Sequence, residues 1–148
     1  EQSWIMFQGE QVDEEAERGW IVARMRARQE RTGVTLSAIH DGEVIGNCQI
    51  DLDPLASRHM GELGIAIAQD WRGMGLGRAL MTALIDEAKE VLPGLRIVRL
   101  NVFAGNDRAI ALYRSLGFIE TGRIPGAILR RGEYIDLIQM ALQVWREA

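Results

Sequence analysis

The stretch over residues 62–88 constrains this chain most. It opens on Glu-Leu-Gly-Ile-Ala-Ile, a short apolar run bounded by polar residues, as a buried strand requires. Gly73, Gly75 and Gly77 come next. Then Leu76, Ala79, Leu80, Ala83, Leu84 and Ala88 recur at the spacing of one buried helix face. Strand, glycine loop and helix start thus succeed one another without a gap. The first amides of a helix have no intrahelical acceptor and lie at the positive end of its dipole. Glycines let a ligand approach the main chain closely, so the unit is an anion cradle suited to phosphate.

Two familiar phosphate motifs are absent. A P-loop needs Lys followed by Ser or Thr after its second glycine, and the chain holds no such pair. A dinucleotide loop needs Gly-x-Gly-x-x-Gly, but Arg78 stands where the third glycine belongs after Gly73 and Gly75. What remains is Arg72-x-x-Gly75-x-Gly77.

That loop, between a strand and a helix, resembles the acetyl-CoA pyrophosphate loop of the GNAT superfamily of N-acetyltransferases. About thirty residues on, Asn106, Ala109, Leu112-Tyr113 and Gly117-Phe118 resemble the superfamily's second block, in register. The tail features Gly117-Phe-Ile-Glu-Thr-Gly122, Gly132-Glu-Tyr-Ile-Asp136 and Met140 look like the amino-acid and ribosomal-protein acetyltransferase branch. The resemblance covers residues 33–142.

Composition sets the frame. A chain of 148 residues, 47% of them apolar, is expected to be a single domain (1–148) with its own core. No run of about eighteen apolar residues exists to span a membrane, and no secretory leader is legible. The lone Cys48 cannot form an internal disulfide and lies in an apparent strand; a buried filler in a cytoplasmic protein is expected. Net charge is −4, with no basic stripe of interleaved aromatics, so nucleic acid is not an expected partner.

Residues 13–31 read as a helix with Trp20, Ala23 and Ala27 on its apolar side, acids first and arginines last, stopped by Gly33. Residues 34–39 and Glu43–Leu52 read as strands joined by Asp41-Gly42, a hairpin signal. Residues 53–60 form a loop, and Pro93-Gly94 ends the helix after the glycines. Residues 96–103 read as a buried strand, Asn106 as the N-cap of another helix, and 118–124 and 133–144 as two last strands. The expectation is an α/β (α+β) fold: a mixed, mostly antiparallel sheet with a central, right-handed parallel strand–helix–strand crossover, similar to acyl-CoA N-acyltransferases. The superfamily normally begins with one more strand, which is not legible ahead of the hairpin; residues 4–7 are a short apolar segment of open state.

The resemblance also implies a site. The amides of Gly73, Met74, Gly75, Leu76, Gly77 and Arg78 would grip the pyrophosphate of acetyl-CoA, with Arg72 adding charge or lying in solvent. Two parallel strands splay after a bulge in this family, and the backbone around Ile65, Ala66 and Ile67 would pair with the pantetheine arm. Asn106 would approach the arm from the other side or simply cap its helix. Asn106, Ala109 and Tyr113 share one helix face. Tyr113 is the candidate general acid, or else a core tyrosine. Glu62 is the candidate base, acting directly or through water, or else a strand-end charge. Asp136 is the second choice, binding or deprotonating the amine.

His40 and His59 have no metal spacing, so no metal is expected, and no nucleophilic triad is legible. Direct acetyl transfer from acetyl-CoA to an amine follows. The acceptor is a small molecule or amino acid, alternatively a protein N-terminus or lysine, with a homodimer as the candidate assembly. A non-catalytic acyl-CoA sensor is the alternative of another class.

Overall fold

The structure, a computed structural model, describes residues 13–145. Residues 4–7 and the question of an earlier strand fall outside the described residues. Helix α1 (Glu14–Gln29) starts where Asp13 Oδ1 accepts from Ala16 N at 2.8 Å, a side-chain cap that satisfies an orphan amide. Strands β1 (Gly33–His40) and β2 (Glu43–Leu52) form the expected hairpin. Asp41 and Gly42 both take positive φ, 49° and 80°, as the favoured two-residue turn demands. Then follow β3 (Met60–Ile67), α2 (Leu76–Val91), β4 (Ile97–Phe103), α3 (Asp107–Ser115), β5 (Ile119–Arg130) and β6 (Glu133–Gln143).

These strands make one six-stranded sheet in the order β1-β2-β3-β4-β6-β5, antiparallel except for β3 against β4. Helices α2 and α3 lie side by side on one face. A Cβ at Gly77 would stand 3.2 Å from Leu112 Cδ2, and Arg78 Nη2 donates to Ser115 Oγ at 2.6 Å. Under them, Met81, Leu84 and Ala88 of α2 meet Ile50, Val98, Met140 and Phe118, all at most 2% exposed. Each such large apolar side chain contributes roughly 1.5–3 kcal/mol, so packing rather than intrinsic propensity holds α2 in place.

Helix α1 is solvated, with acids in its first turn and arginines in its last: no residue of it is buried, and Trp20 is 42% exposed. The helix leans on a corner of the sheet through Arg24, which pairs with Asp51, and Ala27, which packs at Gly33. The strand expected to end near Ile124 runs on to Arg130. Around Pro125-Gly126 the strand carries a bulge, visible as a register shift between Ile124 and Ile128 with Gly126 at φ 62°.

What positions the site is a fork in the sheet. Strand β3 pairs with β2 from Leu52↔Gly61 to Gly46↔Ile67, but with β4 only at Met60↔Ile97, Gly61↔Val98 and Glu62↔Arg99. Past Glu62 the parallel strands part, β3 following β2 while β4 follows β6 to Phe103↔Leu137. The expected splay is present without the expected bulge, because the β2–β3 register is unbroken. Each strand simply twists with its own antiparallel neighbour.

Candidate active site

The glycine loop joins the open end of the fork to α2. Gly73 and Gly75 take φ of 75° and 85°, a region costly for a residue with a Cβ. Gly75 is the N-cap of α2 and offers no side-chain acceptor; the first helical bond runs from Ala79 N to Gly75 O at 3.1 Å. The amides of Gly73, Met74, Gly75, Leu76, Gly77 and Arg78 find no acceptor among the described residues. A Cβ at Gly75 would meet nothing within 4 Å, so the turn is open to solvent on that side. Three glycines thus serve different ends: two allow the turn, and Gly77 allows α2 and α3 to touch.

The ladder sets which groups of β3 face the fork. Ala68 N donates to Ile45 O at 2.9 Å, and Asp53 N to Met60 O at 2.9 Å, in one unbroken register. Antiparallel ladders alternate, so even-numbered residues of β3 turn their main chain to β2 and odd-numbered ones to the β4 side. Ile65 and Ile67 therefore present main-chain groups to the fork. Ala66 does not, because its groups are spent on Asn47; of the three residues expected to pair with an extended ligand, it is the one the geometry removes. The carbonyl of Ile67 accepts from Arg72 Nε at 3.0 Å. Arg72 is thereby folded back on the end of β3.

On α3, Asn106 Oδ1 accepts from Ala109 N at 3.4 Å, so this side chain caps its own helix. Tyr113, 8% exposed, packs its ring 6.1 Å from that of Phe118. Burial pushes its phenol above the ordinary value, which keeps it a proton donor. Its hydroxyl has no hydrogen-bond partner among the described residues.

At the vertex of the fork, Arg99 Nη2 meets Glu62 Oε2 at 2.9 Å. The same guanidinium donates to both oxygens of Asp53, Nε to Oδ2 at 3.2 Å and Nη2 to Oδ1 at 2.9 Å. The Asp53 hydrogen bond, with a smaller contribution from Glu62, raises the Arg99 pKa further above its ordinary value. Glu62 lines a cleft of about 200 Å³ together with Gln49, Asp51, Asp53, Leu63 and Gly64. A larger cleft of about 920 Å³ adjoins it through Leu52 and Asp53, beside the N-terminal ends of β3 and β4.

Asp136 has another occupation. Its Oδ1 accepts from Gly126 N at 3.0 Å and its Oδ2 pairs with Arg123 Nη1 at 3.5 Å, so both oxygens clasp the β5 bulge. These contacts give Asp136 a structural task at the bulge. Conversely, Arg99 and Asp53 carried no signal beyond a lone arginine within the apolar run of β4 and an aspartate in a polar loop.

Residues 3–118 match the model of the acetyltransferase (GNAT) family. The chain belongs to the GNAT family of acetyltransferases. It is 36% identical over 114 residues to the L-amino acid N-acetyltransferase AaaT of Escherichia coli, covering 76% of this chain and 70% of that one. It is 43% identical over 86 residues to the ribosomal protein bS18 alanine N-acetyltransferase of Escherichia coli, with 54% and 53% covered. Among solved structures, yncA of Salmonella typhimurium, an acetyltransferase solved with its cofactor acetyl-CoA, superposes with a TM-score of 0.82 at 28% identity. That match covers 99% of this chain and 82% of the other. In this GNAT chain, the glycine loop opens α2 and Tyr113 lies on the neighbouring α3. No helix among the described residues is long and apolar enough to cross a membrane.

Proposed function

We propose that this chain moves an acetyl group from acetyl-CoA to the primary amine of an amino acid or another small molecule, by direct attack in a ternary complex. The observation that carries it is the row of six uncommitted amides from Gly73 to Arg78, aligned with the positive end of α2. A diphosphate seated there directs its arm into the fork, where the main chain of Ile65 meets it as an added strand. The Ile65 N–H then faces the thioester oxygen; one such donor is worth roughly 2.7–4 kcal/mol in other acyl-transfer enzymes.

Tyr113 donates a proton to the departing sulfur, whose thiolate would otherwise leave with a pKa near about 8.5. The acceptor must arrive neutral, or lose a proton on the way, since an α-amine titrates near about 7.7–8.0. Glu62, which lines the smaller cleft, takes that proton directly or through a water molecule. Similarity to an L-amino acid N-acetyltransferase supports the small acceptor. Similarity to a ribosomal-protein alanine N-acetyltransferase supports a second reading, a protein N-terminus.

Thiol release from acetyl-CoA across a panel of amines, amino acids and short peptides tests both. Turnover with free amino acids supports the first, and turnover confined to peptides the second. Release no faster than hydrolysis with every acceptor, while coenzyme A still raises the melting temperature, would leave a binding module instead.

A further inference from the structure

Glu62 stands in a row of charges that crosses three strands. Its ladder partner on β2 is Asp51, a like charge directly opposite, and on β4 it is Arg99. Arg24 of α1 answers Asp51, which leaves Glu62 to Arg99.

Arg99 is itself held from elsewhere. Its Nε and Nη2 donate to the two oxygens of Asp53 at 3.2 and 2.9 Å. The main chain of Asp53 is tied in turn, its N–H donating to Met60 O at 2.9 Å, on the strand that carries Glu62. A guanidinium Nη2 has two hydrogens, and this one also meets Glu62 Oε2 at 2.9 Å. One nitrogen thus links a fixed carboxylate to the candidate base. The Asp53 side chain is 19% exposed and that of Glu62 49%, so Asp53 is the anchored end and Glu62 the open one. Only Oε2 of Glu62 is engaged; Oε1 has no partner among the described residues. A pair this exposed adds little to the fold, whereas a two-point grip on a planar fork fixes direction.

We infer that Arg99 is a positioning residue for acetyl transfer: anchored by Asp53, it holds one oxygen of Glu62 and so directs the other to the amine. This rests on reading Glu62 as the base. The proton passes from the ammonium to Oε1 of Glu62, and the nitrogen lone pair so freed attacks the thioester carbon. Arg99 takes no proton itself, because a guanidinium stays charged at every working pH.

Steady-state rates of Arg99→Gln, Arg99→Lys, Glu62→Gln and the double variants test this, with acetyl-CoA and the amine that the wild-type chain turns over fastest. Arg99→Gln should lower kcat about ten- to a hundredfold and leave the KM for acetyl-CoA unchanged. Lysine keeps the charge but not the fork, so it should recover only part of the rate. In the Glu62→Gln background the same Arg99→Gln change should cost less than about twofold, because it acts through that carboxylate. Should Arg99→Gln not fold, Arg99→Lys carries the same comparison. Equal losses in both backgrounds would overturn the inference and leave Glu62 as the base. Full kcat in the Arg99 variants, whatever their melting temperatures, would overturn it too and assign the cluster to the fold. Glu62→Gln at the wild-type rate would instead remove the base on which it rests.

Discussion

Glu62 and Arg99 are the last paired residues of β3 and β4, and their side chains join at 2.9 Å where the two strands part. Because Arg99 also holds Asp53, one cation lies between two carboxylates and the vertex keeps a net negative charge. That charge attracts a cation and would hold a bound amine in its protonated form until a base removes the proton. The pair is also half in water, with Glu62 at 49% side-chain exposure, so its worth to the fold is small.

Glu62→Gln separates these two contributions. If Glu62 is the base, kcat should fall by roughly 10²–10⁴-fold, with coenzyme A affinity kept and stability changed by less than about 1 kcal/mol. Steady-state rates at saturating donor, beside a denaturant titration, measure both. Full activity in this variant would return Glu62 to the role of a strand-end charge.

Tyr113→Phe should lower turnover without loosening the donor. Its hydroxyl has no partner among the described residues, so the fold loses little. Burial raises the folded-state pKa, which favours the neutral phenol in the native chain. That contribution is fully present below the unfolded value near about 10 and is lost as pH rises through the folded one. Unfolding free energy should therefore drop more steeply above that pH in the wild type than in Tyr113→Phe. Parallel curves would mean that the phenol is solvated as in the unfolded chain.

The parts of this molecule written in local patterns are those the sequence discloses: the Asp41-Gly42 turn, the Asn106 cap, the apolar face of α2 and the order of strands around it. Each depends on residues within a turn or two of one another. The fork depends instead on β3 and β4 being held by different neighbours, which no local spacing encodes. The Arg99 cluster joins residues 46 positions apart, and the clasp of Asp136 on Gly126 crosses from one strand to the next.

Cys48 should be chemically silent until the chain unfolds. Its thiol is fully buried, donates to Leu80 O at 3.7 Å, and is pushed up to about 11 by burial. Thiolate is the reactive form, so a disulfide reagent near neutral pH must wait for opening of the chain. Labelling should be slow in the native protein and slower still with coenzyme A, which binds only the folded state. The raised value also means that native stability contributed by the neutral thiol is present below the ordinary 9.0 and is lost as pH climbs through about 11. Rapid labelling of native protein would contradict this packing.

Asp136 offers the sharpest contrast between a structural and a functional carboxylate. Asp136→Ala leaves Gly126 N without its acceptor and Arg123 without one of its two carboxylates, a loss of about 1–2 kcal/mol. Asp136→Asn keeps an oxygen for Gly126 N and should retain most of that stability, giving up only a half-exposed ion pair. Both variants should leave the KM for the amine unchanged if the task of this carboxylate is to hold the bulge. Denaturant midpoints beside KM values for the two variants decide it. Were Asp136 to hold the amine, KM would rise in both, and the asparagine variant would be as impaired as the alanine one.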